Sequence, residues 1–212
     1  MNRKQAILQA ATLLFSRKGF RDTSMAEVSK MTGVAGGTIF YHFKNKEELF
    51  LAILTDVRET ITRKFEQFLT QNQFQSGLDM ALGLVDWYLH LAGEMEDRFL
   101  LLHHYFPYRM SVDNMDLRTQ VESIYNALTD VFQRAVLKGQ QDGSIRNLPD
   151  HKAALLIFSL VDGVVRLKTY QLYDGGALYD ELITACRLVL QNQDAGLFPK
   201  QSIPSQKQDV NV

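Results

Sequence analysis

The stretch GVAGGTIFYHFKNKEEL, Gly33 to Leu49, decides how the rest of the chain is read. Two adjacent glycines, Gly36 and Gly37, stand where a helix opens, although glycine costs a helix about 1 kcal/mol against alanine. The pair either breaks the helix or leaves its backbone bare for something outside the chain, and GG also marks a plain loop between helices. Gly33-Val34 reads as a tight turn, and Thr38 to Phe43 as a short helix whose Ile39 and Phe43 share one face at i, i+4.

Upstream of the turn, Ala26, Val28 and Met31 supply the apolar side of another short helix. Thr23 and Ser24 offer it a hydroxyl cap, with Glu27 three residues past Ser24. Further back, Ile7, Ala10, Ala11, Leu14 and Phe15 recur at helical spacing, so residues 3–18 form an amphipathic helix that Gly19 ends. That opening run is no secretion signal, because Gln9 and Thr12 interrupt it and Arg17-Lys18 follow without a small-residue cleavage pattern. Downstream, Leu49, Ile53, Val57, Ile61, Phe65 and Phe68 line one face of a long connector helix from Lys46 to about Thr70. Short helix, glycine-containing turn and short helix form the arrangement that places a second helix in the major groove of DNA. Its first turn would approach the duplex, and the two glycines would remove the side chains that limit how closely the backbone comes.

Charge supports that reading. Residues 1–46 hold eight Lys/Arg (Arg3, Lys4, Arg17, Lys18, Arg21, Lys30, Lys44, Lys46) against Asp22 and Glu27, a balance of +6 that leaves −7 on the remainder. The near-neutral total of −1 conceals a basic end suited to a polyanion. Cys186 stands alone, which provides neither a disulfide framework nor a cysteine-rich zinc site and suits a reducing, cytoplasmic compartment.

The combined run resembles the signature of the TetR family of bacterial repressors, matching it at Gly33, Val34, Gly37, Thr38, Ile39, His42, Phe43, Lys46, Glu48 and Leu49. AATLLFSRKGFRDTSMAEVSKMTG is similar to the two helices before it, so the likeness covers residues 3 to about 54. Two positions depart from the pattern. Ala35 stands where a capping hydroxyl is usual, weakening the cap by about 1 kcal/mol. Phe40 replaces a tyrosine and lacks its hydroxyl. The resemblance implies DNA contacts at Thr23, Ser24, Gly36, Gly37, Thr38, Tyr41, His42 and Lys46. The last two are assigned to phosphates, and Thr23 and Ser24 to capping and backbone contact together.

The acidic body reads as helical throughout, with segments near 76–92, 96–105, 114–140, 150–172 and 177–192, followed from residue 194 by a polar, Pro-punctuated tail. Residues 153–165 are apolar nearly all round, and such a helix needs cover on more than one side. The run falls short of the roughly 20 residues of a membrane span. A second subunit is the expected cover, with Asp162 and Arg166 an i, i+4 pair and Gly163 permitting close approach. The resemblance implies a homodimer formed by the last two helices, here with Leu156, Leu160, Gly163, Arg166, Leu182 and Val189 at the interface. It also places Trp87, Tyr88, Phe99, His103, Phe106, Tyr125, Phe132 and Phe158 on the helices around an effector cavity. An aromatic stripe at helical spacing is more often core than pocket.

An enzyme finds no support. No pair of Glu-x-x-His segments supplies a di-iron bundle, no Gly-rich phosphate loop is present, and Asp86 with His90 offers too few ligands for a metal. No cofactor is expected. The sequence therefore predicts an all-α chain of about nine helices, divided as a three-helix head (1–46), a helical ligand-binding and dimerisation body (47–193) and a tail (194–212). Its expected function is a repressor released from a palindromic operator by a small apolar or aromatic effector. The alternative is a helical ligand carrier or interaction protein that does not read DNA sequence.

Overall fold

A computed structural model of the chain describes residues 2–192; the expected tail falls outside them. They form ten α-helices, with one isolated bridge between Ile145 and Gln191 and no strand among them. The head comprises α1 (Arg3–Lys18), α2 (Met25–Thr32) and α3 (Gly36–His42), and α4 (Lys46–Gln71) leads out of it. The body adds α5 (Gly77–Glu94), α6 (Glu96–His103), α7 (Tyr105–Asp113), α8 (Met115–Asp142), α9 (Asp150–Thr169) and α10 (Tyr179–Leu190), with a 3₁₀ turn at Gly175–Leu178.

The helix ends follow from local chemistry. Asn2 accepts from the Gln5 amide at 2.8 Å to start α1, and Gly19, at φ +89°, ends it. Ser24 and Glu27 form a reciprocal capping box on α2, and left-handed Gly33 closes it. Asn45 accepts from the Glu48 amide at 2.8 Å to open α4.

Two elements differ from the sequence reading. α3 begins at Gly36, two residues earlier than expected, because the Ala35 carbonyl accepts from both Thr38 and Ile39; the glycines are its first two residues. The segment after residue 103 is a separate helix, α7, which brings the count to ten. His104, with ψ 151°, breaks the chain between α6 and α7. Pro107 lies in the first turn of α7, where its missing N–H would have had no helical partner.

One core runs from Ile7 to Leu190 without a break between head and body. Leu49, Phe50 and Ile53 at the start of α4 are buried with the head residues, and Val57, Ile61 and Phe65 continue that face into the body. No packing boundary falls at residue 46, where α4 begins: head and body share that helix and one core. In the body, α5 comes close against α8. The Gly77 amide donates to Asp142 Oδ2 at 2.7 Å and the Leu78 amide to Ser144 Oγ at 3.1 Å. A Cβ on Gly77 would stand 1.9 Å from the Gly139 backbone nitrogen. Gly77→Ala is accordingly expected to force the helices apart and lower stability by about 1–3 kcal/mol, as a fall in the urea midpoint at unchanged slope.

Candidate nucleic-acid interface

α3 turns Ile39 and Phe43 into the head core and leaves the opposite face bare. That face carries Gly37, Phe40 at 52% exposure and Tyr41 at 85%, and Gly36 lies half-buried at its edge. A Cβ built on either glycine meets nothing within 4 Å, and neither has positive φ. Neither packing nor backbone strain within the chain therefore calls for glycine there. No side chain caps the helix, as Ala35 led one to expect. Thr38 is half-buried, and the His42 ring lies between those of Tyr41 (5.4 Å) and Phe43 (6.2 Å). Arg3, Arg21, Lys30 and Lys44 are exposed on the same head.

Two of the expected DNA residues are engaged inside the protein. Lys46 Nζ donates to the carbonyls of Phe20 (2.6 Å), Arg21 (3.2 Å) and Thr23 (2.9 Å) and stands 4.5 Å from the Phe20 ring centroid. All three ammonium protons are taken up by the α1–α2 loop, which leaves none for a phosphate. Thr23 is only 2% exposed. Its hydroxyl donates to the Gly19 carbonyl at 2.9 Å instead of capping α2, a task Ser24 performs alone. Ser24 remains exposed, and its partner Glu27 has its carboxyl held down to about 2 by Lys18, then by Ser24.

The sequence profile of the bacterial regulatory proteins of the tetR family matches residues 7–53, the span of this head and the start of α4. The head is a TetR-family head. It is 28% identical over 166 residues to the transcriptional regulator TtgR of Pseudomonas putida, covering 76% of this chain and 77% of that protein. Its fold is that of the regulator FadR from Bacillus subtilis, solved with stearoyl-CoA, with TM-score 0.70, 21% identity and coverage of 86% and 96%. It is also that of a regulator from Saccharomonospora viridis solved with choline, with TM-score 0.77, 17% identity and coverage of 90% and 98%.

In the body of this chain, most of the expected cavity residues come together as a filled core. Tyr88 packs on Phe99 (5.5 Å), Phe132 (6.3 Å) and Phe158 (5.9 Å), and Phe158 on Tyr125 (6.0 Å). Within it, Asp162 Oδ1 accepts from the Tyr88 hydroxyl at 2.7 Å and from His103 Nε2 at 3.1 Å. Asp162 thus turns inward and does not form the expected ion pair along its helix with Arg166. Trp87 and Phe106 lie elsewhere. Trp87 packs on Phe65 and Phe68, both at 5.8 Å, and Phe106 sits between Phe20 (5.8 Å) and Phe50 (5.2 Å) at the junction with the head. Two open clefts flank the core. One of about 620 Å³ lies between α7 and α8 and is lined by Tyr108, Val112, Arg118 and Tyr125. The other, about 640 Å³, lies between α5 and α9 beside the 3₁₀ turn and includes Lys168, Tyr173 and Gly175.

Of the expected interface residues, Gly163 and Arg166 are exposed on α9, Leu156 is 49% exposed, and Leu160 and Val189 are half-buried. Leu182 is only 5% exposed and belongs to this chain's own core, because α10 turns that residue inward. Leu155 and Leu188 are exposed instead, and sequence periodicity had not singled them out.

Two outcomes follow from the head. Gly36→Ala and Gly37→Ala each add a methyl group that meets nothing in the free chain. Each should raise stability by about 0.5–1 kcal/mol in chemical denaturation yet weaken binding to duplex DNA in fluorescence anisotropy. Lys46→Ala strips a charged donor from three carbonyls and should lower stability by about 2 kcal/mol, whereas a lysine that served only a phosphate would leave the denaturation curve in place.

Proposed function

We propose that the protein is a homodimeric transcriptional repressor that α3 docks on DNA and a small effector releases. The observation that carries the reading is the bare outer face of α3, where Gly37, with Gly36 at its edge, stands without an internal reason beside exposed Phe40 and Tyr41 on a basic head. Ser24, Thr38, Tyr41 and His42 are assigned to DNA contacts, with Gly36 and Gly37 allowing close approach. Thr23 and Lys46 hold the loop that presents them. Two heads related by a twofold axis call for a palindromic operator, and cytoplasmic residence follows from that partner.

The outer faces of α9 and α10, with Leu155, Leu156, Leu160, Gly163, Arg166, Val189 and Leu188, supply the dimer surface in this reading. The effector enters in this reading at the cleft between α7 and α8, where Tyr125 is accessible, and the core of Tyr88, Phe99, His103, Phe132 and Phe158 behind it opens to form the wall. An aromatic lining of this kind favours an apolar or aromatic ligand. The stearoyl-CoA and choline bound by related folds belong to those proteins, and they support only that such bodies accommodate small molecules. Release requires that the effector bind the two head spacings with different affinity.

The test is fluorescence anisotropy on a duplex selected from a random library, against random duplex, at two salt concentrations. Operator affinity is expected to exceed random affinity by about a thousandfold and to fall with salt at about −0.9 per phosphate contact in the logarithmic plot. Thr38→Ala and Tyr41→Ala should each weaken it at unchanged thermal stability. Equal affinity for both duplexes would favour the ligand-carrier reading.

A further inference from the structure

We propose that Phe40 is a specificity-determining residue that reads the methyl group of a thymine in the major groove. The inference rests on the reading of α3 as the DNA-recognition helix. The other phenylalanines of the head, Phe15, Phe20 and Phe43, are buried, as is Phe50 at the start of α4. Phe40 has about half its surface in solvent and no polar atom to account for that exposure. A helical side chain leans toward the amino terminus, over residues i−3 and i−4. For Phe40 those residues are Gly37 and Gly36, so no neighbouring side chain shields the ring on that flank. The two glycines and the phenyl ring therefore form one stripe, flush at its start and apolar at its end.

A phenyl ring offers nothing to a phosphate oxygen, which needs a donor. On the major-groove edges of the base pairs, the apolar group is the C5-methyl of thymine, and an aliphatic or aromatic side chain is what recognises it. Tyr41, next along and more exposed, keeps a hydroxyl for polar contact. The glycines and Phe40 then have a joint explanation: the first let the helix sit deep enough for the second to reach a base edge.

The experiment replaces each thymine of the selected operator, one symmetry-related pair at a time, with deoxyuridine, which differs only by the missing methyl. Wild type, Phe40→Ala and Phe40→Tyr are compared by anisotropy, with melting curves alongside; a half-exposed position leaves the fold intact. At one position per half-site, uracil should weaken wild-type binding about fourfold per half-site, the worth of one buried methyl group. Phe40→Ala should bind the thymine duplex as weakly as wild type binds the uracil duplex and show no further loss on it, while Phe40→Tyr keeps the thymine preference. Wild type that discriminates operator from random DNA, with no thymine whose replacement separates it from Phe40→Ala, overturns the role of Phe40 alone. Loss of discrimination in wild type itself overturns the recognition-helix reading and this inference with it.

Discussion

The head takes its shape from one ammonium group. Lys46 Nζ is bonded to three carbonyls of the loop between α1 and α2 and lies over the Phe20 ring of that same loop. A cation in the first turn of a helix is opposed by the helix dipole; here the carbonyl dipoles and the ring face compensate for it. The contact ties the end of α1, the beginning of α2 and the beginning of α4 into one joint. It also sets Phe20 against Phe50 (5.5 Å) and Phe106, so the same joint carries the body.

From that joint the contacts run into the body without a gap. His104 Nε2 bonds the Ser16 carbonyl at the end of α1 (2.7 Å), while the adjacent His103 bonds Asp162 in the aromatic core. Burial pushes the Asp162 carboxyl up, but His103, Tyr88 and Arg166 outweigh it and hold the group below its ordinary range. Burial, then the Asp162 charge, pushes the Tyr88 hydroxyl well up, which keeps it a donor. His103 Nε2 bonds Asp162, and its Nδ1 is buried with no hydrogen-bond partner. Helices α5, α6 and α9 thus meet at one polar knot, and the next residue along α6 and its cap touches the head.

α3 departs from the rules that α1, α2, α4 and α8 keep. Where α1, α2, α4 and α8 have side-chain caps, α3 has Ala35; where their first turns hold ordinary helix formers, it has two glycines. Its aromatic residues Phe40 and Tyr41 face outward although a core lies beneath them. Local violations of this sort concentrate where a surface serves a partner, and the buried pair Ile39 and Phe43 is what keeps so poor a helix in place.

Much of this was legible in the chain itself. Caps, glycine stops and apolar periodicity act over a few residues, so they located α1, α2, α4, α8 and the helix-turn-helix, and the charge asymmetry pointed to a polyanionic partner. Pro107 was a signal for the start of α7 that periodicity alone passed over. What the sequence did not determine is which partner each side chain meets. Lys46 and Thr23 bond backbone carbonyls, which leave no mark in residue identity. Trp87 stands next to Tyr88 on α5 yet packs on Phe65 and Phe68 of α4, Phe106 on α7 packs on Phe20 and Phe50, and α10 buries Leu182 while exposing Leu188 six residues on. Helix rotation, and with it the choice between core, interface and cleft, is set by the balance of contacts with distant helices, which exists only once they have packed.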